Sequence, residues 1–82
     1  MPRSDPIPAL KRQAGDTLAS LLDGWHPHDA AYLIGTDQPR VSDIRRGKLT
    51  RFSLETLIRY LTRLGWKVEL TITKSPPRPR GR

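Results

Sequence analysis

No cysteine occurs among the 82 residues, which excludes a disulfide framework and every cysteine-ligated metal site. Apolar residues make up only 35% of the chain, and no window nears the roughly 18 consecutive apolar residues a membrane-spanning helix requires. The opening MPRSDP has no apolar run behind its arginine, so no secretory signal is expected. A Gly-rich phosphate loop is missing, and aromatic residues are scarce at 6%. Acid is in short supply too. Fifteen Lys and Arg stand against eight Asp and Glu, for a net charge of +7 and a pI of about 10.9. Such an excess calls for a polyanionic partner. A chain of this size builds one domain, and a second subunit is a common remedy for its marginal stability.

The positive charge is unevenly placed. Between residues 40 and 51, Arg40, Arg45, Arg46, Lys48 and Arg51 face a single acid, Asp43. Residues 74–82 add Lys74, Arg78, Arg80 and Arg82 with no acid at all. The rest of the chain is nearly neutral. A run of like charge can simply be a solvated face, and for the tail that reading stands beside a binding one.

Periodicity divides the chain into an extended lead-in (residues 1–8), a folded domain (9–73) and a basic tail (74–82). Pro2, Pro6 and Pro8 argue against a helix in the lead-in. Leu10, Ala14, Leu18, Leu21 and Leu22 then recur on one helical face. Gly15 weakens that helix by roughly 1 kcal/mol relative to Ala, so fraying up to an N-cap at Asp16 is expected. A second helix runs from Pro27 to Ile34 and closes on Gly35. Thr36 or Asp37 caps a third, from about Gln38 to Arg46, which stops at Gly47. Ser53 caps a fourth, striped by Leu54, Leu57, Ile58, Leu61 and Leu64, with Gly65 at its end. The period then falls to two. Trp66, Val68, Leu70 and Ile72 alternate with Lys67, Glu69, Thr71 and Thr73, predicting one strand. The fold expected is mainly α, four helices with one C-terminal strand. The Pro- and Arg-rich tail cannot bury a core and is expected to be disordered.

Four residues have the placement of a helix-turn-helix. Ala31 is small enough for two helices to cross closely, and Gly35 can take the positive φ of a sharp turn. Val41 and Ile44 turn one face of the third helix toward the second, leaving its opposite face free for a major groove. An ordinary helical hairpin has a similar pattern. The basic residues that follow favour DNA.

Residues 30–48, AAYLIGTDQPRVSDIRRGK, resemble the helix-turn-helix of Cro/C1-type (XRE) regulators. LIGTDQPRVSDIRRGK is the most specific part. The following RFSLETLIRYLTRLGWKVEL is similar to the small subgroup of HigA-type antitoxins, in which a short strand follows the fourth helix. The resemblance covers about residues 9–73. It implies a dimeric DNA-binding repressor that often controls its own operon, frequently beside a RelE-like toxin. The family usually has Thr-Gln at the start of the second helix, with the Gln reaching a phosphate. Here His26-Pro27 stands instead, and His26 and His28 are the candidate substitutes.

Base chemistry then distributes the roles. Gln38 can pair in bidentate fashion with adenine N6 and N7, and Arg40 can hold guanine or a phosphate. Pro39 offers apolar contact to a thymine methyl. Ser42 and Asp43 lie farther along the groove-facing side, where Asp43 can accept from cytosine N4 or pair locally with Arg40 or Arg46. Arg45, Arg46, Lys48 and Arg51 are assigned to phosphates, which set register without reading sequence. Trp25 and Trp66 are expected to pack against the helical core. His26 and His28 have no known metal-ligand spacing with Asp23 and Asp29, so neither metal nor cofactor is expected. No enzymatic constellation emerges.

The sequence thus predicts a cytoplasmic, nucleoid-associated DNA-binding repressor that pairs as a homodimer through Trp66, Val68, Leu70 and Ile72. Two alternatives remain: an interaction module that neutralises a RelE-like toxin, and a basic RNA-binding protein. The scarcity of aromatics weighs against the latter.

Overall fold

The computed structural model describes residues 5–74; the basic tail beyond Lys74 and residues 1–4 lie outside the described residues. Four helices follow one another, α1 (Pro6–Leu21), α2 (Pro27–Ile34), α3 (Gln38–Arg45) and α4 (Leu54–Arg63). Each begins behind a polar N-cap: Asp5, His26, Asp37 and Ser53. α1 opens earlier than the expected lead-in allows. The Asp5 carboxylate accepts from the Ile7 N–H at 3.0 Å, and Pro6 and Pro8 fall in the first turn, where backbone N–H groups have no helical partner to lose. An extended segment through residue 8 is therefore ruled out.

Nor does α1 fray at Gly15. This glycine is buried, and a Cβ there would come within 2.6 Å of Leu49 Cδ1. The loop after α3 sits on the space the missing side chain leaves. Close packing outweighs the roughly 1 kcal/mol propensity deficit, and Asp16 caps nothing.

α1 packs against both α3 and α4, and α2 packs against the same pair. Between them lie Leu18 and Leu22 from α1 and its end, Ala30, Ala31 and Ile34 from α2, Val41 and Ile44 from α3, and Leu57, Tyr60 and Leu61 from α4. Phe52, just ahead of α4, closes the core and meets Tyr60 edge-on, with centroids 6.2 Å apart and planes at 76°. That arrangement suits the ring quadrupoles. On the wet side of α4, Glu55 accepts from Arg59 at 2.7 Å across one turn, an exposed pair that contributes only tenths of a kcal/mol, about 0.2–0.5.

Beyond α4 the Trp66 N–H bonds back to Leu61 O at 3.0 Å and ends the helix. No strand forms among the described residues. A strand requires a ladder partner, and the described residues contain none. Residues 66–70 instead border a groove of about 420 Å³ between α1 and α4, shared with Leu10, Ala14, Leu54, Ile58 and Leu61. Trp25 and Trp66 stand at the edge of the core, 47% and 51% exposed, with Trp66 lining that groove.

Candidate nucleic-acid interface

α2 and α3 are joined by a three-residue turn, Gly35 to Asp37, whose first position favours glycine. Gly35 adopts φ +78°, ψ 39°, a left-handed conformation that a Cβ makes costly. Its N–H and that of Thr36 both bond to Ala31 O, at 2.9 and 2.8 Å, and so close α2. The Arg63 guanidinium lies over it, 3.0 Å from where a Cβ would stand, and Arg63 Nε–H donates to Leu33 O at 3.5 Å. Gly35→Ala is expected to cost about 1–2 kcal/mol from the backbone conformation alone, read as a lower urea midpoint. Gly35→Asn should lose less, since Asn tolerates that region better.

With Ala31, Val41 and Ile44 all buried, the opposite face of α3 is open. Asp37 caps the helix by accepting from the Arg40 N–H at 2.9 Å and pairs with Arg40 Nε at 3.6 Å. Gln38, Pro39 and Arg40 are exposed at the leading end, while Ser42 and Asp43 are half-buried. Pro27, Gln38, Pro39 and Ser42 share one shallow depression, which puts the start of α2 beside the start of α3. Asp43 accepts from Arg46 Nη2 at 3.4 Å, so the local ion pair holds and the partner is Arg46, not Arg40. Arg46, Lys48 and Arg51 are exposed behind the helix.

Arg45 departs from the expected role. Its Nη2 donates to both Leu22 O and Trp25 O, and its Nε is buried without a partner among the described residues. The guanidinium ties α3 to the corner between α1 and α2. Nη2 and Nε are thus turned inward, toward the protein.

The two histidines are both committed through Nδ1. His26 Nδ1 accepts from the His28 N–H at 3.1 Å and caps α2. His28 Nδ1 lies 3.4 Å from Gln38 Nε2. Sequence reasoning offers both as phosphate contacts and misses the cap, although a histidine just ahead of Pro27 at a helix start is a legible capping position.

Residues 8–73 match the model of a family described as a helix-turn-helix domain. The solved structure named "Putative XRE Family Transcriptional Regulator" is 34% identical to this chain, with a TM-score of 0.71, and the match covers 92% of this chain and 88% of that one. The chain belongs to the XRE-type helix-turn-helix family. Among curated proteins none matches it. Within this XRE-type domain, α2 and α3 are the helix-turn-helix pair, and α1 and α4 form the platform beneath them. No helix among the described residues is long and apolar enough to cross a membrane, and no cluster of three or more potential metal ligands occurs among them.

Proposed function

We propose that this XRE-type chain is a sequence-specific, duplex-DNA-binding transcription regulator that represses by occupying its site as a homodimer. The observation that carries this reading is the open face of α3, with Gln38, Arg40 and Ser42 leading and Arg46, Lys48 and Arg51 trailing. A helix of that design enters the major groove with its N-terminal residues toward the bases, while the basic residues behind it meet the backbone. Lys48 and Arg51 have no ion pair among the described residues, so their charge is free for phosphate. In a binding assay on a duplex selected from a random library, Lys48→Ala and Arg51→Ala should weaken all sequences alike. Each should flatten the plot of log affinity against log salt by about one. Equal affinity for the selected duplex, a scrambled duplex and single-stranded RNA would defeat the reading.

Support for the homodimer comes from residues 66–72. Trp66, Val68, Leu70 and Ile72 are 51%, 43%, 77% and 83% exposed, beside the apolar groove of α1 and α4. Antiparallel pairing with the same segment of a second copy would cover these side chains and supply the missing ladder, by two-fold symmetry. Two recognition helices would then meet half-sites about 34 Å apart. Val68→Pro removes a ladder donor. It should weaken both dimerisation in analytical ultracentrifugation and binding to a palindrome, leaving binding to a half-site intact. The same open edge is what a RelE-like toxin would pair with; toxin capture on co-expression would favour the antitoxin role that the HigA-like resemblance implies.

A further inference from the structure

At the leading end of the interface one side-chain contact joins α2 to α3: Gln38 Nε2 lies 3.4 Å from His28 Nδ1. We infer that His28 is a positioning residue: as a neutral ring it orients the Gln38 amide for adenine, and on protonation it turns that amide around. This inference rests on the proposed DNA reading of α3.

The argument is one of donors and acceptors. An amide nitrogen can only donate, so with Gln38 Nε2 at 3.4 Å the His28 Nδ1 must accept, which requires the tautomer protonated at Nε2. One Nε2–H is thereby used. The other Nε2–H and Oε1 remain, in fixed order, along the outer edge of the amide. That order matches adenine, whose N7 accepts and whose N6 donates. When the ring carries both protons, Nδ1–H can only donate. To keep the contact the amide presents Oε1 to His28, and donor and acceptor along its outer edge change places. Adenine N7 would face an oxygen, and the bidentate match is lost.

The surroundings leave this contact as the one that specifies the amide. His28 and Gln38 are both exposed, and Gln38 makes no other side-chain hydrogen bond among the described residues. The charged groups near the start of α2 are Asp29 on the same helix and Asp37 and Arg40 on α3, the latter two paired at 3.6 Å. From α4, Arg63 reaches only the far end of α2, over Gly35. The second imidazole near this contact is His26, whose Nδ1 caps α2, and its contribution must be separated from that of His28. Asn does this at either position. Its Oδ1 stands the same number of bonds from Cβ as His Nδ1, accepts a hydrogen bond and does not titrate.

The test uses the full chain and the duplex it selects from a random library, with each base substituted in turn at the position whose preference Gln38→Ala abolishes. At pH 8 the wild type should favour adenine there by roughly tenfold or more. At pH 5.5, after crossing the interval in which imidazoles change charge, that preference should fall several-fold while affinity for random duplex is kept or rises. His28→Ala should show a weak preference at both pH values, with its helix content unchanged by circular dichroism. His28→Asn should restore the adenine preference and hold it at both pH values. His26→Asn should behave as the wild type. An adenine preference and pH dependence that survive in His28→Ala would overturn the role of His28 alone. A wild type with no base preference at any position would overturn the DNA reading and this inference with it.

Discussion

Arg45→Ala is expected to destabilise the domain by about 3 kcal/mol, because hydrogen bonds from a charged donor contribute roughly 1.5–3 kcal/mol each and two are lost. The acceptors are Leu22 O, at the end of α1, and Trp25 O, just before α2. Leu22 O also accepts from the Trp25 N–H at 3.1 Å, so the guanidinium adds a second bond there and supplies the one to Trp25 O. For a domain of this size the whole stability is of the order of 4–12 kcal/mol, so the loss would be a large fraction. The neighbouring Arg46 provides the control. Its side chain is 63% exposed and pairs with Asp43 at 3.4 Å, and Arg46→Ala should stay within about 0.5 kcal/mol. Arg45→Lys should recover part of the loss, since one ammonium cannot reproduce the fork of a guanidinium. Urea denaturation followed by circular dichroism separates the three variants. Salt dependence gives an independent reading: the folded fraction of Arg45→Ala should bind duplex with an unchanged salt slope. A mild stability effect together with a slope reduced by about one would return Arg45 to the phosphate set.

Arg45 also shows where sequence reasoning stops. By charge and position it belongs to the basic run that includes Arg46, Lys48 and Arg51. What sets it apart from that run is a pair of backbone carbonyls 20 and 23 residues away that bind its Nη2, which no local pattern records. The same holds for Gly15, whose reason for existing is the side chain of Leu49, and for Phe52, which meets Tyr60 only once α4 has formed. Features decided within a few residues were legible: the caps at Asp37 and Ser53, Pro27 in a first turn, and the turn at Gly35. Asp5 is legible as well, since Asp before Pro is a helix-start signature, and Pro6 and Pro8 are tolerated in the first turn that follows. The alternation at residues 66–73 is plain in the sequence, yet no strand forms among the described residues, because a strand is a property of two segments.

Gln38→Ala is expected to cost about 1–3 kcal/mol on the selected duplex and to blur the preference at one base pair, with almost no cost on random duplex. Gln38 is the first residue of α3, exposed, and bonded only to His28 among the described side chains. Its removal should therefore leave stability within about 0.5 kcal/mol, so a loss of binding cannot be laid to unfolding. Arg40→Ala is the informative comparison. Arg40 is already paired with Asp37, and if it touches phosphate its loss will weaken every sequence and lower the salt slope; if it reads guanine, a second position will lose its preference while the slope changes less. Asp43 is held by Arg46, so Asp43→Ala should leave base preference unaltered. Competition binding of all single-base variants of the selected duplex measures the three substitutions on one scale. Should Gln38→Ala leave the ratio of selected to random affinity unchanged, the leading end of α3 does not face the bases, and the groove must be entered by another part of the helix.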